Sequence, residues 1–450
     1  MKRLLIISYF FAPKNEIGAV RLSKFTKYLV RLGWEVDVIT FKANPFLQLE
    51  STIDTTLECE ELNRAKIHNL EFPMFLNILY KLRSITGNRF MSDVEKQSIK
   101  NTVDKKTISV LQKYSVLPLF KLLVKTKSYT NSGKFNNGLK DNYDVIFSSY
   151  GPYSMLELGE YYSKKYPKAV YIQDIRDDII YSHDKNNKFL YSYKSYLERK
   201  MLRTADALTI VSKEALDKYS ENIQTYEITN GFDAEDRNSE NDCKSFNDGY
   251  FHIYYGGRIY PKQDVSMLVK AIKNQNLQER VKVHYAGKSY REFIRAFSEE
   301  NIENVVINHG FVDRTQSLIL QEKCNALLLL SWNTKQEQGM ITGKVFELLS
   351  ANRPIICLIT GNLDGSRIER IFNDDQYRKC FYYFKGDYEI LNLQNYLNQL
   401  VNLVNQKNVD INLVDSNKKY SEYSYSSLTK KLDEVFKVEI NRKKNKYGGI

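Results

Sequence analysis

The feature that most constrains this chain is an alternation, run through twice. Short apolar segments alternate with helical patterns, stop at a polar stretch, and start afresh. The first series has strand-like runs at 4–8, 36–40, 145–148, 170–174, 208–211 and 226–229, with helical patterns at 19–32, 153–164, 188–203 and 213–220. Residues 233–249, DAEDRNSENDCKSFNDG, hold almost nothing apolar and read as a linker. The second series has runs at 251–255, 281–285, 305–308, 326–330, 355–358 and 381–384. Its helices lie near 264–274, 314–323, 343–350, 365–373 and 388–405, and a last one covers 425–436. Continuous apolar runs are what parallel strands need when helices cover both faces of the sheet. Strand–helix alternation in both halves therefore predicts two doubly wound, Rossmann-like α/β domains. The expected divisions are 1–232, a linker at 233–249, 250–420, and a C-terminal helix and basic tail at 421–450. A length of 450 residues suits two domains better than one core. Ligands in such folds sit at the carboxyl ends of the strands, so two domains of this kind imply a central cleft.

Several classes are excluded. No apolar run approaches the roughly 18 residues of a membrane-spanning helix. The start, MKRLLIISYFFAPKNE, has basic residues before an apolar run, but the run is short and ends at Pro13 with a helical pattern behind it. It reads as a first strand rather than a secretory signal. Cys59, Cys243, Cys324, Cys357 and Cys380 are dispersed, odd in number and form no CxxC, as expected in a reducing cytoplasm. The five histidines show no HExxH or paired spacing, and no GxSxG elbow is present.

Charge is uneven. The net charge is +12, and residues 81–140 carry 13 Lys/Arg against 3 acids. The segment 437–450 carries 5 basic residues against Glu439. The rest is close to neutral, which speaks against a nucleic-acid partner. In VLPLFKLLVKTKSY (116–129) cations interleave with aliphatics, and Pro118 suits the first turn of a helix. Such a helix reads equally as a contact with an anionic membrane surface or as a core helix with solvated lysines.

Four segments carry chemistry. In SYFFAPKNEIGAVR (8–21) a strand ends, a loop carries Gly18, and a helix begins. Its N–H groups suit a phosphate or simply form a strand-to-helix turn. With only one glycine it is not a dinucleotide fingerprint. In YYGGRIYPKQD (254–264), Gly256 and Gly257 end a strand and Arg258 and Lys262 follow. The pair is either a diphosphate clamp or two solvated cations. In TGKVFELLSANRPII (342–356), Gly343 opens a helix and Glu347 stands one turn in. A carboxylate there can accept from two ribose hydroxyls, or merely favour the helix dipole. In YIQDIRDDI (171–179), Asp174, Asp177 and Asp178 surround Arg176. They read as a general base, a metal site or a local salt-bridge cluster.

Taken in order, these segments resemble retaining glycosyltransferases of the GT-B fold, in the large family four class that makes bacterial surface and capsular polysaccharides. SSYGPYS through QDIRD (148–176) is similar to that family's SSPP…DFRD stretch. ADALTIVS (205–212), ITNGFD (228–233), GGRIYPKQDVSMLVKAI (256–272), HGFVDRTQSL (309–318) and GKVFELLSANRPII (343–356) match further family segments. The resemblance spans nearly the whole chain apart from 81–140 and the tail. It implies a nucleotide-sugar donor, a lipid-linked or polysaccharide acceptor, no metal and no cofactor. Arg258 and Lys262 would neutralise the departing diphosphate, and Glu347 would hold the donor ribose. Backbone groups at Gly18, Gly257, Thr342, Gly343 and Lys344 would meet phosphates. Phe311 and Val312 would flank the base, and Asp174 and Asp177 would face acceptor or donor sugar.

Two positions depart from the family. Its paired glutamates stand eight apart, but eight before Glu347 is Gly339, with Glu337 the nearest acid. Its diphosphate lysine stands five after the arginine, where this chain has Gln263, with Lys262 one position earlier. A non-catalytic nucleotide-sugar-binding or partner-binding module on the same fold is therefore a competing expectation. A nucleotide-sugar 2-epimerase is a further one, although its histidine and acid motifs are not found.

Overall fold

The computed structural model describes residues 1–14, 17–42, 53–71, 73–74, 117–134, 138–180, 182–212, 218–237, 245–335, 343–361, 363–372, 381–386, 389–407 and 420–447. They fall into two compact units, 1–229 together with 428–450, and 230–427.

The first unit runs β1 (Arg3–Ile7), α1 (Ile17–Arg31), β2 (Glu35–Phe41), α2 (Glu60–Arg64), β3 (Lys66–Leu70), α3 (Leu117–Lys134), β4 (Val145–Ser149), α4 (Ser154–Lys165), β5 (Val170–Ile175), α5 (Lys188–Thr204), β6 (Ala207–Ile210) and β7 (Thr225–Glu227). Its sheet has the order β3-β2-β1-β4-β5-β6-β7 and every neighbouring pair is parallel. Strand order reverses direction between β1 and β4, where Leu4 stands level with both Val36 and Val145. That reversal makes the loops after β1 and β4 the natural ligand-facing edge. β4 and β5 are buried along their whole length: they are apolar where they enter the sheet and polar at their carboxyl ends, at Ser148, Ser149, Gln173 and Asp174.

Pro118 is the second residue of α3, as the sequence suggests. Thr126, Tyr129 and Thr130 are buried, Thr130 donates to Glu157 of α4 at 2.9 Å, and Leu122 packs against the cluster around Leu156 and Ile175. These contacts are those of the core-helix alternative. Residues 81–116 and 135–137 of the basic segment lie outside the described residues, as does most of the helix expected over 213–220.

The second unit runs β8 (Phe251–Gly256), α6 (Ser266–Asn274), β9 (Val281–Ala286), α7 (Tyr290–Glu299), β10 (Val306–Asn308), α8 (Arg314–Lys323), β11 (Ala326–Trp332), α9 (Gly343–Leu349), β12 (Ile355–Thr360), α10 (Arg367–Ile371), β13 (Phe381–Lys385) and α11 (Ile390–Lys407). The parallel order is β10-β9-β8-β11-β12-β13, with its reversal between β8 and β11. β11 shows how both faces fill. Ala326, Leu328 and Leu330 join the core under α6, α7 and α11, while Leu327 and Leu329 join the core under α9. The two-residue period of a strand sends alternate side chains to opposite faces, so a strand covered twice must be apolar throughout.

The chain closes with α12 (Tyr425–Tyr447), which returns to the first unit from Leu428 onward. Phe436 meets Trp34 and Phe147 edge-on at 5.5 and 5.4 Å, and the Trp34 indole N–H donates to Asp433 at 2.9 Å. The helix outruns the expected 425–436 because its later turns also have partners. Glu439 and Ile440 are buried, and Lys443 reaches the Ala169 carbonyl and Asp206. We predict that Phe436→Ala lowers unfolding free energy by about 3–5 kcal/mol, as for other buried aromatics. Chemical denaturation followed by Trp34 fluorescence checks this, and a loss under about 1 kcal/mol would show that α12 is only loosely docked.

Candidate functional site

In the second unit the site is built where the loops after β8, β9 and β10 are tied together by their backbones. The Gly257 N–H donates to the Ala286 carbonyl at 2.6 Å, Gly287 N–H to Gly310 at 2.7 Å, and His309 N–H to Tyr285 at 2.8 Å. The Tyr285 hydroxyl donates to the Gly257 carbonyl at 3.0 Å and accepts from Ser289 N–H at 2.7 Å. Gly257 has φ +114°, a conformation suited to glycine. A side chain there would also collide with the Lys344 ammonium, which lies directly against it.

Lys344 enters from the first turn of α9 and places Nζ 5.1 Å from the centre of the Tyr255 ring. Burial pushes its pKa down to about 8, and only Glu347, one turn further on, works in the other direction. The site therefore holds a desolvated cation beside backbone rather than a solvated surface lysine. Phe311 is 38% exposed just past Gly310, with the Lys288 ammonium 4.1 Å from its ring centre. Val312 turns inward onto the core beneath α9.

Glu347 is pinned. Arg314 donates to one carboxylate oxygen and Gln321 to the other, at 2.8 Å for the latter. Arg314 is itself paired with Asp236 at 3.1 Å. Arg237 donates to the Glu347 main-chain carbonyl at 3.1 Å, to Gln321 at 2.6 Å, to Ser350 at 2.7 Å and to Glu322 at 3.0 Å. Burial raises the Glu347 pKa, but Arg314, Gln321 and Arg237 more than offset it, so the carboxyl stays below 4.5 and ionised. A carboxylate has about four acceptor positions. Two are taken, which leaves the capacity to accept from a diol.

Arg258 follows the glycines and is exposed. Its carbonyl accepts from the Tyr255 hydroxyl at 3.0 Å. Lys262 is half-buried. Gln263 is committed elsewhere: its amide donates to the Leu330 carbonyl at 2.6 Å and accepts from Tyr260 N–H at 3.0 Å, fastening the loop to β11. Thr342, Glu337 and Gly339 lie outside the described residues. The structure thus brings Gly257, Gly343, Lys344 and Glu347 to one edge of the sheet, with Phe311 and Val312 on the adjoining loop.

In the first unit, Asp174, next to last in β5, is fully buried and accepts four hydrogen bonds. Arg21 gives two, at 2.9 and 3.2 Å, and Ser149 and Thr209 give one each, at 3.0 and 2.9 Å. Burial raises its pKa, but Arg21 overrides this and keeps it ionised. This is the local salt-bridge arrangement, and it occupies Asp174 from every side. Arg21 spends its other donors on the Ile228 and Thr229 carbonyls. Arg176 lies close enough to Asp174 and Asp177 for its charge to favour their ionised forms. It donates to the carbonyls of Gly18 at 3.1 Å and Tyr150 at 3.0 Å, joining the loops after β1 and β4, and lies 5.4 Å over the Phe10 ring. A Cβ on Gly18 would stand 2.8 Å from the Arg176 guanidinium, which is why the position is bare. Asp177 is exposed. Surrounding protein pushes its carboxyl upward, Arg176 opposes this, and Asp178 and Asp174 add to the rise.

Arg21, Arg237, Arg314 and Gln321 were not expected from sequence. Arg21 closes the 8–21 segment, Arg314 lies inside HGFVDRTQSL (309–318) and Gln321 stands three residues beyond it, but no local pattern gave them a role. Arg237 sits in the polar 233–249 stretch, where nothing in the pattern marks a buried residue. Among the described residues, no group of three or more His, Cys, Asp or Glu side chains is arranged to hold a metal ion, and no helix is long and apolar enough to cross a membrane.

By sequence, no family model and no curated protein matches the chain. By structure, it is similar to sucrose-phosphate synthase from Thermosynechococcus elongatus (TM-score 0.60, 12% identity, covering 97% of this chain and 98% of that one). It is also similar to HepE from Anabaena, solved with UDP (TM-score 0.56, 12% identity, 97% and 100% covered) and with UDP-glucose (TM-score 0.55, 11% identity, 97% and 100% covered). The fold is therefore of the GT-B class: two doubly wound parallel sheets in one chain.

Glu347→Ala should strand Arg314 and cost about 3–5 kcal/mol at neutral pH. The sign with pH follows from the depressed carboxyl pKa. Its stabilising share is present above the unfolded-state value and fades as pH falls through the folded one. Melting curves from pH 7 to pH 3 should therefore converge for wild type and variant at the acid end. A constant gap would mean that Glu347 acts by packing rather than by charge.

Proposed function

We propose that this chain is a glycosyltransferase that binds a nucleotide-sugar donor in the 230–427 unit and transfers the sugar, with retention, to a lipid-linked or polysaccharide acceptor served by the 1–229 unit. The observation that carries the reading is Lys344, a desolvated cation held against Gly257 at the strand-order reversal, with an ionised Glu347 one turn behind it. That pair matches the two polar parts of a nucleoside diphosphate. The ammonium suits the β-phosphate, and the spare acceptor positions of Glu347 suit the ribose hydroxyls. Phe311 offers an exposed ring to the base, with Val312 beside it. The solved structures of HepE with UDP and UDP-glucose, on the same fold, support this choice of ligand.

Departure of the diphosphate is the demanding step, because negative charge grows on the leaving oxygen. Lys344, Arg258 and Lys262, with the N–H groups at the start of α9, would stabilise that charge. No metal is part of the proposal. Surface or capsular polysaccharide as the product, and contact of the basic 81–140 segment with an anionic membrane on the cytoplasmic side, belong to the same reading. They rest on the resemblance and the charge distribution. The replacement of the family's first glutamate by Gly339 favours one rival, a module that binds nucleotide sugar without turning it over.

Two predictions follow from these roles. Lys344→Met should weaken UDP, GDP or CMP binding by about 10-fold or more, given the strength of charge-assisted contacts. In the wild type, affinity should decline above about pH 8, where the free lysine loses its proton. Calorimetry with the three nucleotides across pH 6–9 measures both, and unaltered affinity in the variant would remove Lys344 from the donor site. Arg258→Ala should lower donor turnover by about 100-fold if it faces developing charge. Steady-state hydrolysis of a nucleotide-sugar panel reads this, and wild-type turnover would take Arg258 out of the mechanism. Tight binding without any turnover in wild type would favour the non-catalytic module.

A further inference from the structure

Three histidines with no sequence relation to one another stand in a row across the second sheet. His252 lies on β8, His284 on β9, and His309 just past β10, on three neighbouring strands. Nδ1 of His252 is 2.8 Å from Nε2 of His284, and Nδ1 of His284 is 2.8 Å from Nε2 of His309. At the other end, Nε2 of His252 is 2.7 Å from Asp248. His252 and His284 are 1% and 2% exposed, with Phe246 over both rings at 4.5 and 4.9 Å. The row begins at the exposed Asp248 and ends at the half-buried His309, next to Gly310 and Phe311.

The proton positions follow by elimination. An ionised carboxylate only accepts, so His252 donates through Nε2. A neutral His252 then has a lone pair on Nδ1, which obliges His284 to donate through its Nε2. The same step obliges His309 to donate through Nε2 and leaves a lone pair on its Nδ1. All three donors point towards Asp248.

We infer that Asp248, His252, His284 and His309 form a proton relay that turns the Nδ1 of His309 from acceptor into donor when the protein takes up one proton. The proton adds to Nδ1 of His309. The Nε2 proton of His309 passes to Nδ1 of His284, and the Nε2 proton of His284 passes to Nδ1 of His252. One proton has entered, none has left, and both ring-to-ring hydrogen bonds have reversed. The charge rests on His252 beside the Asp248 carboxylate.

The surroundings dictate that resting place. Burial pushes His284 down to about 3, with His252 and His309 on its two sides adding to the effect, and burial also lowers His309. Asp248 is raised by burial but lowered more strongly by His252 and the Tyr250 N–H, so it stays ionised. Among the described residues, the other titratable groups around the row are Tyr250, 6.4 Å from His252, Lys282 of β9, 4.8 Å over Tyr250, and Lys323 at the end of α8, 6.0 Å from Phe246. The lysines oppose uptake and Asp248 favours it, which places the charge at the Asp248 end. Resting on the transferase reading, the switch would change what the Gly310–Phe311 loop offers a nucleobase.

The test is nitrogen-15 NMR of the full chain labelled at histidine, titrated from pH 8 to pH 4 without nucleotide. His284 and His309 should change from the Nε2–H to the Nδ1–H tautomer at one common midpoint, at which His252 becomes doubly protonated. Asp248→Asn, at an exposed position, should move that midpoint down by about one pH unit or more for all three rings. Separate midpoints, tautomers that do not change, or a His309 indifferent to Asp248→Asn would overturn the relay. Since no nucleotide is used, the outcome is independent of whether the chain is a transferase.

Discussion

A lysine ammonium packed against glycine backbone is the constraint around which the second unit is arranged. Lys344 has given up much of its water, and its pKa has fallen to about 8 in consequence. Such a group is tolerated only where nearby charge helps hold it ionised. Glu347 does so from the next turn, and it remains ionised because Arg314, Gln321 and Arg237 converge on it. Arg314 in turn needs Asp236, and Arg237 needs Glu322. The bare Gly257, the tied loops and this charged row are thus one structure, and its open end faces the place where doubly wound sheets take ligands.

The first unit uses its charges differently. Asp174 and Arg21 satisfy one another inside the protein and fasten α1 and β5 to the carbonyls of Ile228 and Thr229. Arg176 ties the loops after β1 and β4 at Gly18 and Tyr150. These arginines shape an edge, whereas Asp177 is the acid of this cluster that remains at the surface with a raised pKa.

Much of the fold was legible because doubly wound sheets write themselves as apolar runs. β11 and β12 were marked by nearly unbroken hydrophobic segments, since helices cover both of their faces, whereas β9 alternates because only its Val281, Val283 and Tyr285 side faces the helices. The edge formed by Gly257 and Gly343 was legible in part. A glycine pair after a strand and a glycine at a helix start are local signals, and Gly257 and Gly343 carry them. The supports were not legible. Arg237, Gln321 and Arg314 are joined to Glu347 by contacts 26 to 110 positions apart in sequence, and no periodicity encodes such pairings. The histidines failed for the same reason. His252, His284 and His309 are aligned by strand order, β8 next to β9 next to β10, and not by spacing.

The most direct measurement is a crystal structure with UDP or GDP bound, whichever calorimetry shows to bind more tightly. The diphosphate should lie within hydrogen-bonding distance of Lys344 Nζ beside Gly257, with both ribose hydroxyls on Glu347 and the base against Phe311. A nucleotide found elsewhere on the chain, or one whose ribose leaves Glu347 untouched, would contradict the assignment of this edge as the donor site.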